Sequence, residues 1–282
     1  MTYQLGLIGY PIQHSLSPWI HGEFLDKANL QGNYKIMEID INDSFAEKIE
    51  QIKNEGIMGF NVTVPYKQTI IPFLDELDDT AKQIGAVNTV VHQEGKWIGY
   101  NTDGIGYVRA LEHAYPELFQ NKSKKKVLIL GAGGAARGIY HAVLTSGYMQ
   151  IDIANRTKES AEKIALLNKN KAKTSILTLV EAEQRLANYD LIIQTTSVGM
   201  KPNTDQTIIS LENVNPAAVV SDIVYQPIKT SFLQEAEQRG ASIHFGHTML
   251  LYQAQFAFEI WTKENVSTDQ MDEELKKILE GR

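Results

Sequence analysis

The chain has 282 residues, of which 43% are hydrophobic and 22% are charged, and its formal net charge at pH 7 is −7. This length allows two compact domains, the composition is that of a folded protein, and the acidic balance argues against a nucleic-acid-binding surface. The chain contains no cysteine, which excludes disulfides, thiolate metal sites and a cysteine nucleophile.

The sequence also lacks the patterns of a zinc site, a signal peptide and a membrane span. No two of the seven histidines have HxxxH or HExxH spacing, so we expect no bound metal. The N-terminal stretch MTYQLGLIGYPIQHS has no basic start, and the chain has no run of about 18 apolar residues. We therefore expect a cytoplasmic protein without a nucleic-acid or membrane partner.

The first hundred residues alternate between short strand patterns and helix patterns. Ser17 followed by Pro18 predicts a helix start with Ser17 as the N-cap. A short helix is expected over 78–84, ended by Gly85. Alternating hydrophobic residues predict strands over 3–8, 34–39 and 57–64.

The stretch VNTVVHQEGKWIGYNTD predicts a tight hairpin, because two β-rich runs flank Glu94-Gly95. If these two residues form the turn, Asn88 faces Asn101. Asp103 then lies diagonally from Asn88, within reach of its side chain. The hairpin would thus bring two polar residues together at its open end.

The stretch NVTVPYK, residues 61–67, ends a strand pattern at Pro65 and places Lys67 just beyond it. A solvated edge strand with a surface lysine fits this pattern, and so does a substrate pocket with an acid/base. For a single lysine, the surface role is the commoner of the two.

From Lys126 onward the pattern becomes that of a parallel sheet covered by helices on both faces. The run KVLILGAGGAARGIYHAV reads as a buried strand, a glycine turn and a helix. The tail carries two helix patterns, and its pattern does not show which domain it packs on. Further strands are predicted over 151–154, 190–195 and 219–224, and helices over 158–167, 248–263 and 268–279.

The glycine turn has the spacing G-x-G-x-x-A, with Gly131, Gly133 and Ala136. Gly131 permits the tight turn, Gly133 leaves room for a pyrophosphate, and Ala136 allows close packing of helix on strand. The first N–H groups of the helix would then face the phosphates. The strand before the turn and the second strand after it favour dinucleotide binding over a glycine turn without a ligand.

The residues after the second strand favour NADP over NAD. Asn155 stands where an NAD-binding protein usually has a carboxylate, and Arg156 and Lys158 follow it. A guanidinium can bind a 2′-phosphate through two hydrogen bonds. The alternative is that Arg156 is a solvated charge at the start of a helix.

Nine separated stretches together resemble the shikimate dehydrogenase family, whose members use NADP. They occur in the family's order over nearly the whole chain: GYPIQHSLSP, GFNVTVPYK, IGAVNTV, GYNTDGIG, GAGGAAR, NRT, TTSVGM, DIVYQP and HFGHTMLLYQAQFAFEIW.

The resemblance implies an α/β fold of two lobes: an N-terminal α/β substrate domain and a doubly wound Rossmann-type cofactor domain. It also implies that the C-terminal helices return to the first domain. The expected boundaries are 1–103 plus 248–282 for the substrate domain and 104–247 for the NADP domain. The implied reaction is the reversible NADPH-dependent reduction of 3-dehydroshikimate to shikimate by a monomer or a homodimer.

The resemblance also assigns residues by motif. Ser15 and Ser17 would bind the substrate carboxylate, and Lys67 and Asp103 would be the catalytic pair. Further substrate contacts implied are Thr63, Asn88 and Asp103 for the ring hydroxyls, with Tyr225 and Gln253 lining the pocket. Cofactor contacts expected are Asp79, Gly131, Ala132, Gly133, Gly134, Ala135, Asn155, Arg156, Thr157, Ile223 and Gly246.

Alternatives remain open at three points. Gln194 and Ser197 stand where many family members have Asn and Pro, which bears on the contacts near the nicotinamide. His14 and His247 are weaker candidates for the acid/base. An NAD-using quinate/shikimate dehydrogenase, a methylene-tetrahydrofolate dehydrogenase-like enzyme and a non-catalytic nucleotide sensor are the competing functions.

Overall fold

A computed structural model describes residues 2–281, which form two compact units. The first unit comprises the residues up to Thr102 together with Gln253–Thr268. The second comprises Asp103–Tyr252 together with the described residues from Asp269 onward.

The described part of the first unit contains a mixed sheet in the order β2-β1-β3-β5-β6-β4. β1 runs parallel to both β2 and β3, whereas β5 is antiparallel to both β3 and β6. β4 is a short parallel partner of β6. The strands are β1 (Tyr3–Ile8), β2 (Gly32–Ile36), β3 (Gly59–Val62), β4 (Glu76–Leu77), β5 (Thr89–Gln93) and β6 (Lys96–Tyr100).

Three helices follow the strands of this unit: α1 (Ser17–Lys27), α2 (Phe45–Asn54) and α3 (Asp79–Ile84). The predicted cap of α1 is wrong by one residue, because Leu16 is the N-cap and makes no side-chain cap bond. The Ser17 hydroxyl instead lies beside that of Ser15. α3 begins one residue later than predicted, because Asp78 is its N-cap, whose side chain accepts from the N–H of Ala81. It ends as predicted, with Gly85 at φ +70°.

The predicted hairpin is confirmed with its register. β5 and β6 pair from Gln93 with Lys96 to Thr89 with Tyr100, around a turn in which Glu94 and Gly95 both have positive φ. Two successive positive φ values give the turn the twist that antiparallel strands require.

The second unit contains, among its described residues, a parallel sheet in the order β12-β11-β10-β7-β8-β9. This is the doubly wound order, whose switch point lies between β7 and β10. The expected Rossmann-type fold is therefore confirmed. The strands are β7 (Lys126–Leu130), β8 (Gln150–Ala154), β9 (Ile176–Leu177), β10 (Leu191–Gln194), β11 (Val219–Asp222) and β12 (Ser242–His244).

Both faces of this sheet are buried, which explains its nearly continuous apolar strands. In β7, Val127 and Ile129 face one hydrophobic core, and Leu128 and Leu130 face the other. The helices with residues in the second unit are α4 (Asp103–Ala114), α5 (Gly134–Thr145), α6 (Lys158–Ala165), α7 (Leu179–Glu183), α8 (Ser231–Gln238), α9 (Gly246–Thr262) and α10 (Met271–Glu280). None of the helices between residues 2 and 281 combines the length and the hydropathy that a bilayer crossing requires.

The C-terminal residues divide between the two units. Helix α9 belongs to the second unit up to Tyr252 and to the first from Gln253, and α10 belongs to the second. Two contacts hold α10 there: His247 Nε2 lies 2.8 Å from Asp272 Oδ1, and Lys276 Nζ lies 5.3 Å from the centre of the Phe245 ring. Only Gln253–Thr268 therefore returns to the first unit.

The returning half of α9 is fixed by Trp261, which is buried in the first unit. Its indole N–H donates to the carbonyl of Val90 at 2.8 Å. Gly59 of β3 lies against this ring, and a Cβ built there would be 2.4 Å from two indole atoms. The absence of a side chain at residue 59 is therefore a packing requirement.

We expect Gly59→Ala to lower the free energy of unfolding by about 1–3 kcal/mol, because the added methyl overpacks the contact with Trp261. Gly22→Ala is the matched control: Gly22 is helical and a Cβ there meets no atom within 4 Å. That change should raise stability by up to about 1 kcal/mol through helix propensity. Thermal and denaturant unfolding measure both, and equal effects would contradict the packing argument.

Candidate active site

Ser15 and Ser17 are brought together at the start of α1. Their Oγ atoms are 3.2 Å apart, and the Ser17 N–H also donates to Ser15 Oγ at 3.2 Å. The Ser15 N–H donates to the carbonyl of Ile12 at 2.9 Å, which fixes the loop. The two hydroxyls thus form a compact polar pair, of which Ser17 is buried and Ser15 half-buried.

The turn after β3 positions Thr63 and Lys67. The Thr63 N–H donates to the carbonyl of Ile8 at 2.9 Å, and the Tyr66 N–H donates back to the carbonyl of Thr63 at 2.9 Å. The carbonyl of Lys67 accepts from the Val87 N–H at 2.8 Å. The backbone of Lys67 is therefore held beside the start of β5, and its side chain is half-buried.

Asn88 lies buried just before β5 and meets Gln253 of α9. Its Nδ2 donates to Gln253 Oε1 at 3.3 Å and to Thr102 Oγ1 at 2.9 Å. Its Oδ1 accepts from the Thr102 N–H at 2.8 Å. Two residues assigned to the substrate, 165 positions apart in the chain, are thus in direct contact.

At the open end of the hairpin the strand gives way to a helix, because β6 ends at Tyr100 and α4 begins at Asp103. Thr102 lies beside Asn88, and the Asn101 side chain donates to the carbonyl of Ala86 at 3.0 Å. The diagonal approach of Asp103 to Asn88 stays a prediction. Lys67 and Asp103 belong to different compact units.

Behind these residues lies a buried polar network that the sequence analysis missed. Asn61 Oδ1 accepts from Tyr34 Oη at 2.8 Å and from His21 Nε2 at 3.1 Å. Asn61 Nδ2 donates to the carbonyl of Asn88 at 3.1 Å and to Thr89 Oγ1 at 3.2 Å. The signal in the sequence was the asparagine inside an apolar strand, because a buried amide needs partners.

In the second unit, the glycine turn joins β7 to α5. Gly131 has φ +110°, and a Cβ there would be 2.7 Å from Thr195 Oγ1, so only glycine fits. Gly133 and Gly134 are exposed, and a Cβ at either would meet no atom within 4 Å. Gly133 is the N-cap of α5 and makes no side-chain cap bond. The first N–H groups of α5, with Ala132 and Ala135 beside them, therefore face open space suited to a phosphate.

The loop after β8 presents Arg156. Asn155 Nδ2 donates to the carbonyl of Thr157 at 2.8 Å, which orders the loop. Lys158 Nζ lies 3.6 Å from Glu181 Oε2. Arg156 is exposed and makes no ion pair with any residue in 2–281. Of the two cations noted in the sequence, Arg156 is therefore the one available to a ligand.

The loop after β11 lies against the start of α9. A Cβ at Gly246 would be 2.5 Å from the carbonyl oxygen of Ile223, so glycine permits this close approach. Tyr225 follows in the loop with 37% of its surface exposed. Asp79, also assigned to the cofactor, is the exposed first residue of α3 in the first unit.

Gln194, which departs from the family pattern, joins the loops after β10 and β11. Its Nε2 donates to the carbonyl of Val198 at 3.1 Å and to Asp222 Oδ1 at 3.2 Å, and its Oε1 accepts from the Thr196 N–H. Burial raises the pKa of Asp222 to about 6, although hydrogen bonds from Thr230 Oγ1 and other donors oppose the shift. Gln194 therefore has a structural role at this strand end.

These features define a class of protein before any relative is considered. A doubly wound sheet with a glycine turn after its first strand is the dinucleotide-binding fold. A separate α/β unit carries a second polar cluster with a half-buried lysine. The chain is thus a two-unit α/β protein of the nicotinamide-dependent dehydrogenase class.

Comparison with known proteins identifies the family. Three family descriptions match in order: "Shikimate dehydrogenase substrate binding domain" over 7–90, "Shikimate / quinate 5-dehydrogenase" over 114–224, and "Shikimate 5'-dehydrogenase C-terminal domain" over 246–276. A curated relative from Oceanobacillus iheyensis, named shikimate dehydrogenase (NADP(+)), is 57% identical over 282 residues, covering 100% of both chains. The chain belongs to the shikimate dehydrogenase (NADP(+)) family.

Solved structures agree with this assignment. The structure of a shikimate dehydrogenase in complex with NADP+ is 37% identical, with a TM-score of 0.88, covering 99% of this chain and 96% of that chain. The shikimate 5-dehydrogenase of Listeria monocytogenes, in complex with shikimate and NAD, is 34% identical, with the same TM-score and coverage. The two-domain α/β fold expected from the sequence is therefore confirmed.

The buried state of His21 predicts a pH dependence of stability. Burial lowers the pKa of His21 from 6.5 to about 3, although its hydrogen bond with Asn61 opposes the shift. Between these values the unfolded chain binds a proton that the folded chain does not, so stability falls as the pH falls through this window. We expect His21→Phe to remove up to about 1.4 kcal/mol per pH unit of this slope.

Denaturant unfolding of both proteins at several pH values within the window measures the slope. Burial also lowers the pKa of His244, to about 4, so part of the slope should persist in the variant. Identical slopes for the variant and the unchanged protein would contradict a neutral, buried His21.

Proposed function

We propose that the protein catalyses the reversible NADPH-dependent reduction of 3-dehydroshikimate to shikimate. The observation that carries this proposal is the contact of Asn88 with Gln253, since two residues far apart in the chain meet where the family motifs place the substrate. Family membership over the full chain supports the same reaction.

The first unit offers groups that match the substrate. Ser15 and Ser17 form a hydroxyl pair suited to a carboxylate. Asn88 and Gln253 offer an amide cluster suited to ring hydroxyls, and Thr63 lies at the end of the neighbouring strand. We assign Asp103 and Tyr225 to the same substrate from the family motifs.

The second unit offers groups that fit NADP. Gly131, Gly133 and Gly134 leave the start of α5 open for the pyrophosphate, with Ala132 and Ala135 beside it. Asn155 and Thr157 order the loop that presents Arg156 to the 2′-phosphate. When bound, the nicotinamide supplies or accepts the hydride. Three further contacts with NADP are assigned from the motifs: Asp79, Ile223 and Gly246.

Lys67 is proposed to move the proton, with Asp103 as its partner. As the ketone of 3-dehydroshikimate is reduced, negative charge develops on its oxygen. An ammonium group stabilises this charge and donates the proton, and the neutral amine takes the hydroxyl proton in the reverse direction. Asp103 would orient both Lys67 and the reacting hydroxyl.

Two alternatives have different observable consequences. The Listeria monocytogenes relative was solved with NAD, so a preference for NAD in this chain is the first alternative. A non-catalytic nucleotide sensor is the second, and it would need the glycine turn but not Lys67.

We further propose that the protein acts in the cytoplasm, as expected for an enzyme that uses the cellular NADPH pool. We propose that it is a monomer or a homodimer, and light scattering would show which of the two it is.

The first test follows the NADPH absorbance band after mixing the protein with shikimate and NADP. A protein that binds NADP but gives no NADPH would contradict the proposed reaction.

Lys67→Ala should lower kcat by about 10²–10⁴-fold, the usual contribution of general acid–base catalysis, with a smaller change in KM. Lys48→Ala is a control, because Lys48 lies 3.6 Å from Asp43 in an exposed ion pair. Unchanged kcat in Lys67→Ala would show that another group transfers the proton.

The second test concerns the cofactor. We expect Arg156→Ala to lower kcat/KM for NADPH by about 10- to 100-fold, the loss of a charge-assisted hydrogen-bonded pair, and to leave the value for NADH unchanged. Arg239→Ala removes another exposed arginine of the same unit and should change neither. Equal losses with both cofactors, or a preference for NADH in the unchanged protein, would remove the role given to Arg156.

A further inference from the structure

The serine pair of the first unit is connected to the buried amide of Asn61 through Tyr34. The Tyr34 hydroxyl lies near the Ser17 side chain, which opposes the rise that burial causes in the pKa of Tyr34. The same hydroxyl donates to Asn61 Oδ1 at 2.8 Å. His21 stacks on the Tyr34 ring, with centroids 4.4 Å apart and planes 10° apart. These residues all lie in one compact unit, behind the polar pair that the proposed function assigns to the substrate carboxylate.

The orientation of the Asn61 amide follows from its partners. The carbonyl of Asn88 can only accept, so the atom that faces it at 3.1 Å must be Nδ2. The opposite atom is therefore Oδ1, an acceptor, and His21 Nε2 at 3.1 Å must carry its proton to bond to it. His21 is fully buried and burial lowers its pKa to about 3, so the ring carries a single proton at neutral pH, and the bond to Asn61 Oδ1 places that proton on Nε2.

Asn61 Oδ1 thus has two donors, and they differ in kind. The His21 N–H is held by a ring that cannot rotate away from Asn61 without losing its stacking on Tyr34. The Tyr34 hydroxyl can rotate about its C–O bond: it donates to Asn61 Oδ1, and the Ser17 side chain is a second polar group near it. Burial raises the pKa of Tyr34, so the hydroxyl keeps its single proton.

A carboxylate ligand changes what Ser17 must do. A carboxylate only accepts hydrogen bonds, so Ser17 has to turn its own hydroxyl proton toward the ligand. Ser17 Oγ is then left as a buried acceptor on its inner side, next to Tyr34. A buried acceptor without a donor costs about 1–3 kcal/mol, and this cost would weaken binding.

We propose that Tyr34 is a positioning residue for carboxylate recognition, whose hydroxyl turns from Asn61 to Ser17 when the carboxylate binds while His21 keeps Asn61 Oδ1 satisfied. This inference rests on the proposed function, because it takes Ser15 and Ser17 as the carboxylate site. His21 has a defined role in this inference. Because its N–H continues to donate to Asn61 Oδ1, the Tyr34 hydroxyl can donate to Ser17 Oγ instead.

The other hydrogen bonds of Asn61 and Asn88 stay the same when the Tyr34 hydroxyl changes its partner. Asn61 Nδ2 continues to donate to the Asn88 carbonyl and to Thr89 Oγ1, and Thr89 Oγ1 donates to Asn88 Oδ1 at 3.0 Å. Asn88 therefore holds its place beside Gln253 whether or not the carboxylate is bound. The contribution of Tyr34 should accordingly appear in the recognition of the carboxylate alone.

Tyr34→Phe tests this inference, because it removes one hydroxyl and retains the ring that stacks on His21. We expect KM for shikimate to rise about three- to tenfold, the contribution of one hydrogen bond, with kcat changed less than about twofold and KM for NADP unchanged. With shikimate methyl ester, which has no carboxylate, the variant and the unchanged protein should have the same kcat/KM. Tyr3→Phe is the control for removing a tyrosine hydroxyl from the same unit, and it should match the unchanged protein with both substrates.

His21→Phe is the second variant, and it tests whether the His21 N–H lets the Tyr34 hydroxyl change its hydrogen-bond partner. Without the imidazole N–H, Asn61 Oδ1 depends on the Tyr34 hydroxyl, so KM for shikimate should rise about three- to tenfold here too, and again not for the ester. An unchanged KM for shikimate in either variant, or equal losses with shikimate and its ester, would overturn the inference. Failure of the unchanged protein to oxidise shikimate would instead contradict the proposed function.

Discussion

The four hydrogen bonds of the Asn61 side chain are the constraint on which the polar half of the first unit depends. Asn61 lies in β3, a strand in which all four residues are buried. An amide in such a position is tolerated only if both its oxygen and its nitrogen have partners. Its partners come from α1, β2 and the adjacent residues Asn88 and Thr89 at the start of β5, so satisfying one side chain places three separate parts of the chain.

The second unit is organised by a different constraint, the close approach of backbone to backbone. At Gly131 and Gly246, a side chain would collide with atoms of a neighbouring strand end or loop. Gln194 and Asp222 then join the loops that follow β10 and β11. The carboxyl ends of the strands are therefore both crowded and ordered, while Gly133 and Gly134 leave one opening at the start of α5. A rigid surround with a single open position suits a ligand whose phosphates need fixed N–H donors.

Much of this could be predicted from local sequence, and the exceptions share a cause. β1 and the register of the hairpin were predicted correctly because alternation and the Glu94-Gly95 turn are local signals. The doubly wound sheet followed from the apolar strands and the glycine turn. The predicted cap of α1 was wrong because the helix already begins at Ser17, whose hydroxyl lies beside that of Ser15. The position of α10 has no local signal either, because it depends on the contact of His247 with Asp272. The His21–Asn61 contact spans 40 positions and has no periodic signature, so sequence spacing could not reveal it.

The indole of Trp261, which fixes the returning half of α9, also has a spectroscopic consequence. The chain has three tryptophans, at positions 19, 97 and 261, and all of them belong to the first unit. The described part of the second unit contains none, although it contains buried tyrosines such as Tyr107, Tyr140 and Tyr148. Tryptophan emission therefore reports on the substrate-side unit alone, whereas far-ultraviolet circular dichroism reports on both. A single protein without labels can thus show whether the two units lose their structure together or in sequence.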